Sequence, residues 1–152
     1  MTVTSFRSPP WLLGTGALGG NLQTIWPALV SKRLDGRAPT YVRHRWTTPD
    51  ADFIDVDWLA EPPGTHSADR PLLVLFHGLE GSSASHYSRA YAQLAGRLGW
   101  RFAVPHFRGC SGEPNLAPRA YHSGDSEEVG WILDRFRKLH TGPRLAVGIS
   151  LG

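Results

Sequence analysis

From Leu72 onwards, short apolar segments alternate with longer segments of helical periodicity. Leu72-Leu73-Val74-Leu75-Phe76 is continuously apolar, as expected for a strand that is covered on both faces. Two further short strands are predicted, at residues 102–104 and 145–147. Strands that alternate with helices imply crossover connections and a parallel sheet. The second half of the chain is therefore predicted to be an α/β domain.

Two helices are predicted between these strands. The first begins after Ser85, a residue type that caps helices, and ends at Gly99. The second begins after Asp125, and Glu128 has the spacing of a capping box. Apolar residues at helical spacing predict the buried faces, which are Tyr87, Ala90, Tyr91, Leu94, Ala95 and Leu98 in the first helix and Val129, Ile132, Leu133, Phe136 and Leu139 in the second.

The first part of the chain is less regular. Residues 1–42 combine many glycines and prolines with large apolar residues such as Trp11 and Trp26, and they are predicted to form an N-terminal arm. The arm either packs over the domain or binds a membrane surface, and the sequence leaves both open. Residues 43–48 and 52–59 are predicted to pair as an antiparallel hairpin. The second of these strands alternates acids with apolar residues, which is typical of a half-exposed strand.

Composition excludes several function classes. The 152 residues suffice for roughly one domain. The net charge of +3 comes from scattered rather than clustered cations, which argues against a nucleic-acid partner. Cys110 is the only cysteine, so the chain can form no internal disulfide and no cysteine-based zinc site, and a cytoplasmic location is expected. The longest apolar run is Leu72–Phe76, far below the roughly 18 residues of a membrane-spanning helix.

The pentapeptide Gly148-Ile149-Ser150-Leu151-Gly152 has the pattern G-x-S-x-G and directly follows a predicted buried strand. In that context the serine would occupy a tight strand-to-helix turn, where bulky residues two positions away on either side would clash with the backbone. The Ser150 hydroxyl would then be exposed, and the Leu151 N–H would point to the place where an oxyanion forms. The pattern predicts a nucleophilic serine.

His77 and Gly78 end the first predicted parallel strand, where α/β-hydrolases place the second donor of the oxyanion hole. The backbone N–H of Leu79 is the predicted donor, and Gly78 would let the loop approach the substrate closely. For His77, a structural role in bracing this loop is favoured over proton transfer. These residues and the G-x-S-x-G pattern together resemble the α/β-hydrolase superfamily.

Three further stretches resemble the YheT-like hydrolases within that superfamily. They are the segment Gly20-Asn21-Leu22-Gln23-Thr24-Ile25-Trp26-Pro27, the loop 76–83, and the segment 106–115 together with Tyr121-His122-Ser123-Gly124. The resemblance covers almost the whole chain. It implies the N-terminal half of an α/β-hydrolase fold, with a mostly parallel sheet and an antiparallel N-terminal hairpin. Residues 43–152 would be a partial hydrolase domain that ends at the nucleophile elbow.

The resemblance also implies an activity. The chain would belong to a serine hydrolase of carboxylic esters, with acyl transfer to alcohols as an open alternative to hydrolysis. Ser150 would be the nucleophile, Leu79 and Leu151 would donate oxyanion N–H groups, and His77, Gly78, Gly148 and Gly152 would support the loops. The expected substrate is a small-molecule or lipid ester, and peripheral contact with a membrane is left open. No cofactor or metal is expected.

The acid and the histidine base of the family follow the serine, whereas all seven histidines and thirteen acids of this chain precede Ser150. A serine hydroxyl without a base is a poor nucleophile. The expectation is therefore a truncated chain, inactive alone, whose uncovered 145–147 strand favours self-association. The alternative is a non-catalytic fragment or interaction module that needs a partner supplying the C-terminal half.

Other reactive side chains in the motif loops are expected to be structural. His106 and His122 are predicted to hold the segment 108–123 together rather than replace the missing base. Cys110 is flanked by glycine and serine and is interpreted as structural rather than nucleophilic. Arg108 is expected to pair with an acid such as Glu113.

Overall fold

The fold is known from a computed structural model, which describes residues 38–62 and 69–152. The described part contains five strands and two helices: β1 (Tyr41–Thr47), β2 (Phe53–Leu59), β3 (Leu72–Phe76), α1 (His86–Arg97), β4 (Arg101–Pro105), α2 (Ser126–Leu139) and β5 (Arg144–Gly148). Nearly all of the predicted arm, residues 1–42, lies outside the described residues, so the predicted domain division stays a prediction.

The five strands form one mixed sheet in the order β1-β2-β4-β3-β5. The β1–β2 and β2–β4 pairs are antiparallel, and the β3–β4 and β3–β5 pairs are parallel. The predicted hairpin is confirmed, with Trp46 opposite Ile54 in its register. Because β3 lies between β4 and β5, the loops that follow β3 and β5 leave the sheet side by side.

The two helices contribute to different hydrophobic clusters, one on each face of the sheet. Alternate residues of β3 point to opposite faces, as the pleat of a strand requires. Leu73 and Leu75 pack with Ala92 and Ala95 of α1. The other cluster joins α2 to the sheet and contains Trp46, Ile54, Val56, Leu72, Val74, Phe76, Ala103, Phe107, Ile132 and Phe136. All five residues of β3 are buried, so the prediction that this strand is covered on both faces is confirmed.

The prediction that β2 is half-exposed is wrong. Residues 53–57 are all buried, including Asp55 and Asp57 on the polar face of the strand. Arg45 of β1 binds Asp55 through two hydrogen bonds of 2.8 Å, and Arg43 binds Asp57 in the same way at 2.7 and 2.9 Å. The alternation therefore reflects buried carboxylates that pair with half-exposed arginines of β1, rather than a solvent-facing strand.

The predicted helix caps are only partly correct. Ser85 and Asp125 occupy the N-cap positions, but neither side chain makes a capping hydrogen bond. The Asp125 carboxylate accepts from Arg119 at 2.6 Å, and the Glu128 carboxylate accepts from Arg108 at 2.7 Å, so no capping box forms. The predicted end of α1 is confirmed, since Gly99 follows it with φ of +67°.

The predicted buried faces of the helices are also only partly correct. Ala95, Ile132 and Phe136 are buried as expected, whereas three predicted positions, Leu94, Leu98 and Leu139, are about half-exposed. Within the described part of the chain, β5 pairs only with β3, and Leu145 on β5 is 43% exposed. In this part of the chain β5 is an edge strand, as the sequence predicts. The described residues include no helix that is long and apolar enough to cross a membrane.

Candidate active site

The turn that follows β5 holds Ser150 in a left-handed backbone conformation. Its φ is +58°, a region that costs a non-glycine residue roughly 1–2 kcal/mol. The Ile149 N–H donates to the Phe76 carbonyl at 3.0 Å, and the Gly152 N–H donates back to the Ile149 carbonyl at 3.0 Å. These bonds hold the turn against the end of β3 and leave Ser150 exposed at its apex.

Gly148 and Gly152 flank this turn at positions where no side chain fits. A Cβ on Gly148 would lie 2.5 Å from the Gly152 carbonyl carbon. A Cβ on Gly152 would lie 2.7 Å from the Phe76 carbonyl carbon. Both contacts are with backbone atoms, which cannot move aside as a flexible side chain can. The G-x-S-x-G spacing is therefore a steric requirement of this turn.

Gly78, in the loop after β3, packs directly against the same turn. A Cβ on Gly78 would lie 3.1 Å from the Ile149 carbonyl oxygen and 3.3 Å from the Ser150 Cβ. The two predicted motif loops are thus in contact, and Leu79 follows the point of contact in the chain. The absence of a side chain at Gly78 permits this approach.

His77 fixes the orientation of the peptide group between Gly78 and Leu79. Its Nδ1–H donates to the Gly78 carbonyl at 2.8 Å, and the Gly81 N–H donates to the same oxygen at 2.9 Å. Because a trans peptide is planar, holding this carbonyl also directs the Leu79 N–H the opposite way.

The His77 ring is fully buried, and both of its nitrogens are occupied. Its Nε2 accepts from the Phe107 N–H at 3.0 Å, while Nδ1 carries the proton donated to Gly78. Burial lowers the pKa of His77 to about 4, so the ring is neutral at physiological pH. This arrangement suits a bracing role and leaves no ring nitrogen for the Ser150 hydroxyl.

Several backbone N–H groups at and beside Ser150 have no acceptor within the described residues, among them the two predicted oxyanion donors. These two are the amides of Leu79 and Leu151, whereas the Ile149 N–H donates to Phe76 at the end of β3 and the Gly152 N–H donates within the turn. The Leu79 side chain is 70% exposed, so its loop position is open to solvent. Backbone N–H groups that point at a developing oxyanion stabilise it in acyl transfer, which makes these two amides candidate donors.

His106 and His122 both make hydrogen bonds to backbone carbonyls close to them in the chain. His106 is buried, with Nε2 bonded to the Asp57 carboxylate at 2.9 Å and Nδ1 bonded to the Cys110 carbonyl at 3.2 Å. His122 is exposed and bonds the Ser123 carbonyl at 3.1 Å. Both rings therefore make contacts within or beside the segment that they were expected to hold together.

Arg108 pairs with acids, but not with the one suggested by the sequence. Its guanidinium binds Asp50 and Asp52 at 2.8 Å each and Glu128 at 2.7 Å, and its side chain is only 3% exposed. Glu113 instead binds Arg45 at 2.8 Å. Arg108 does not pair with the nearby Glu113, because three other acids surround its buried guanidinium.

Cys110 is partly buried, and its thiol is not activated. Burial raises its pKa above the ordinary value, an effect that a hydrogen bond with Tyr121 partly offsets. A thiol with a raised pKa is mostly protonated and therefore a weak nucleophile at neutral pH. These properties agree with the structural interpretation of Cys110.

Sequence reasoning missed two tyrosines that contact the loop 78–81. Tyr87 accepts from the Gly78 N–H at 3.1 Å, and Tyr121 accepts from the Glu80 N–H at 2.7 Å. Tyr87 was expected only in the buried stripe of α1. A tyrosine at a helical core position beside a motif loop was the available signal, because a partly buried phenol usually finds a hydrogen-bond partner.

Among residues 38–62 and 69–152, no three His, Cys, Asp or Glu side chains are grouped to hold a metal ion.

The chain is similar in sequence to curated proteins with hydrolase names. The chain is 42% identical over 133 residues to the Escherichia coli (strain K12) protein YheT, which is classed by name as an esterase. It is 33% identical over 109 residues to the phospholipase ABHD3 of Bos taurus. These matches cover 87% and 69% of this chain but only 38% and 26% of the two relatives, so the chain spans well under half of their length.

Solved structures show the same fold. A serine hydrolase homologue from Coxiella burnetii superposes with a TM-score of 0.57 at 15% identity, covering 76% of this chain and 55% of that one. No protein-family model matches the sequence. The sequence relatives show the similarity to the YheT-like hydrolases, and the solved structure shows the similarity in fold. The chain has a partial α/β-hydrolase fold, and over most of its own length it is similar in sequence to the YheT-like hydrolases.

Proposed function

We propose that this chain is the nucleophile-bearing part of a serine esterase and that Ser150 is the nucleophile. One arrangement carries the proposal: Ser150 has a positive φ at an exposed turn, with Gly78 packed on it and the unbonded N–H groups of Leu79 and Leu151 beside it. Strain of this kind persists only where the surroundings over-determine it, and it concentrates at functional sites. The esterase and phospholipase relatives support ester chemistry.

In the proposed reaction, Ser150 Oγ attacks the carbonyl carbon of a carboxylic ester while a general base takes the hydroxyl proton. The carbonyl electron pair moves onto oxygen, which becomes an oxyanion bound by the Leu79 and Leu151 N–H groups. When the oxyanion collapses, the C–O bond to the alcohol breaks, and the leaving alkoxide takes the proton from the base. Water or a second alcohol then releases the acyl group from Ser150 by the same steps in reverse order.

The general base of this reaction is not His77 or His106. Both ring nitrogens of each histidine are engaged by other groups, and both rings are buried. We therefore propose that the base, with its orienting acid, comes from outside the described residues. The 152-residue chain alone is then expected to hydrolyse esters poorly, because an unassisted serine hydroxyl is a weak nucleophile.

The second candidate function is a non-catalytic module that binds a partner polypeptide supplying the C-terminal half of the domain. The exposed edge of β5, with Leu145 43% exposed, favours it, since unpaired apolar edges attract a further strand. The same edge would let the isolated chain self-associate. Co-purification of the chain with a polypeptide that carries an acid and a histidine would support this candidate, and a stable monomer would count against it.

We further propose a cytoplasmic location, on the ground that the sequence carries a single cysteine. The substrate class proposed is a small-molecule or lipid ester, with peripheral contact at a lipid surface as the route to the latter. Fractionation of a tagged chain tests the location, since recovery from the periplasm or from salt-resistant membranes would contradict it. Release of fatty acid from dispersed phospholipid, compared with release from a short-chain nitrophenyl ester, tests the substrate class.

A fluorophosphonate probe tests the nucleophile itself. The chain would be incubated with the probe near pH 7 and at about pH 9, where hydroxide supplies part of the missing base. The Ser150→Ala variant is the control. Peptide mass mapping is expected to place the adduct on Ser150, slowly at neutral pH and faster at the higher pH. Labelling that is the same in the Ser150→Ala variant would overturn the proposal, and rapid labelling at neutral pH would overturn the claim that the base lies elsewhere.

A further inference from the structure

We infer that Tyr121 and Tyr87 are positioning residues of the oxyanion hole: their phenol oxygens accept the backbone N–H groups on either side of Leu79, which leaves the Leu79 N–H as the free donor of the loop. The inference rests on the proposed function of Ser150. Neither tyrosine touches the reacting atoms in this scheme, and both act through the loop 78–81.

The hydrogen bonds of this loop single out Leu79. The Gly78 N–H donates to Tyr87 at 3.1 Å, and the Glu80 N–H donates to Tyr121 at 2.7 Å. The Gly81 N–H donates to the Gly78 carbonyl at 2.9 Å. Within the described chain, the Leu79 N–H is therefore the one loop amide between Gly78 and Gly81 that remains unbonded. If the neighbouring amides were also unbonded, they would compete for the same negative oxygen and for water.

Glu80 gives a second reason why Tyr121 is needed. Its φ of +51° places a non-glycine residue in the left-handed region, which is unfavourable unless other contacts hold it there. The bond from its N–H to Tyr121 at 2.7 Å is such a contact. Loss of the phenol oxygen would let Glu80 relax, and Leu79, one residue earlier, would lose part of its fixed orientation.

Tyr121 is itself held by the aromatic groups that brace His77. Its ring stacks on Phe107 with a centroid distance of 5.4 Å and an interplanar angle of 7°. The Phe107 N–H donates to His77 Nε2, and the two rings lie 4.9 Å apart. The segment after β4 therefore fixes the loop after β3 from two sides, through His77 at the Gly78 carbonyl and through Tyr121 at the Glu80 amide.

Amide hydrogen exchange on the full chain tests the positions of these bonds without needing catalysis. Tyr121→Phe is expected to speed exchange of the Glu80 amide by about three- to tenfold, the range for losing one net hydrogen bond. Tyr87→Phe is expected to speed exchange of the Gly78 amide by a similar factor. Tyr91→Phe is the matched control, since Tyr91 lies on the same helix as Tyr87 and is partly buried against the core. Unchanged Glu80 exchange in a folded Tyr121→Phe chain would overturn the inference.

The rate of Ser150 phosphonylation at about pH 9 gives a readout that a merely structural role would not move. Tyr121→Phe and Tyr87→Phe are expected to lower the maximal rate by roughly threefold or more, with the half-saturating probe concentration unchanged, because the hole stabilises only the transition state. A maximal rate equal to that of Tyr91→Phe would overturn the inference while leaving the nucleophile in place. If Ser150 is not labelled at all in the wild type, the proposed function fails, and the exchange experiment still decides the positions of the two amides.

Discussion

Gly78 lies against Ser150 so closely that a single added methyl group would stand 3.3 Å from the Ser150 Cβ and 3.1 Å from the Ile149 carbonyl oxygen. This contact joins the loop after β3 to the turn after β5. Because β3 and β5 are parallel neighbours, both loops emerge at the same edge of the sheet. The proposed nucleophile and its proposed oxyanion donors meet because of this pairing.

Gly78→Ala is expected to destabilise the chain by about 1–3 kcal/mol, the usual cost of overpacking. It is also expected to slow Ser150 labelling, because the loop must retreat from the turn. Urea denaturation and probe kinetics measure the two effects. Gly130→Ala is the control, since nothing lies within 4 Å of its Cβ position, and alanine in a helix should raise stability by up to about 1 kcal/mol. Equal stability of the two variants would contradict the described contact.

Ser150→Gly and Ser150→Ala remove the same hydroxyl but should differ in stability. Glycine adopts the φ of +58° freely, whereas alanine retains the strain. The free energy of unfolding is therefore expected to be about 1 kcal/mol higher for the glycine variant than for the alanine variant. The difference is measured by denaturant titration of both variants in the same buffer. An alanine variant at least as stable as the glycine variant would show that Ser150 is not strained.

The strands and the turn at Ser150 could be predicted from the sequence because both depend on residues close together in the chain. The caps and the polar face of β2 could not. Asp125 and Glu128 have the right spacing for capping, but Arg119 and Arg108 bind their carboxylates instead. Glu80 meets Tyr121 across 41 positions, and no local pattern encodes that distance.

Arg108→Met is expected to cost about 3–5 kcal/mol, because it leaves the buried carboxylates of Asp52 and Glu128 without their cation. The free energy of unfolding from denaturation curves gives the value. Arg137→Met provides the comparison, because Arg137 forms an exposed pair with Asp134 and its loss should cost less than about 0.5 kcal/mol. Similar losses for the two variants would mean that the Arg108 cluster is not buried in solution.

The pKa of His77, lowered to about 4 by burial, makes stability depend on pH in a defined window. Below a pH of roughly 6.5, the pKa of histidine in an unfolded chain, His77 binds a proton when unfolded but not when folded. Stability is therefore expected to fall by about 1.4 kcal/mol per pH unit from this group as pH drops toward 4, and to level off once the folded ring is protonated.

His77→Asn isolates this contribution, because the asparagine amide can both donate and accept but does not titrate in this range. The stability difference between wild type and variant should shrink or invert as the pH is lowered from 7 toward 4. Parallel stability profiles over that window would contradict the assignment of a buried, neutral His77.

The carboxyl group of Asp52 titrates below this pH window. Burial opposes its ionisation, but the Leu116 N–H and other donors hold its pKa at about 2.

The central claim is that Leu79 and Leu151 donate to the oxyanion formed at Ser150. A crystal structure of the chain phosphonylated at Ser150 tests it most directly, because the phosphonyl oxygen stands in the place of the oxyanion. We expect that oxygen to lie about 2.7–3.1 Å from both the Leu79 and the Leu151 backbone nitrogens. An adduct on Ser150 whose oxygen faces solvent, or bonds neither amide, would contradict the account.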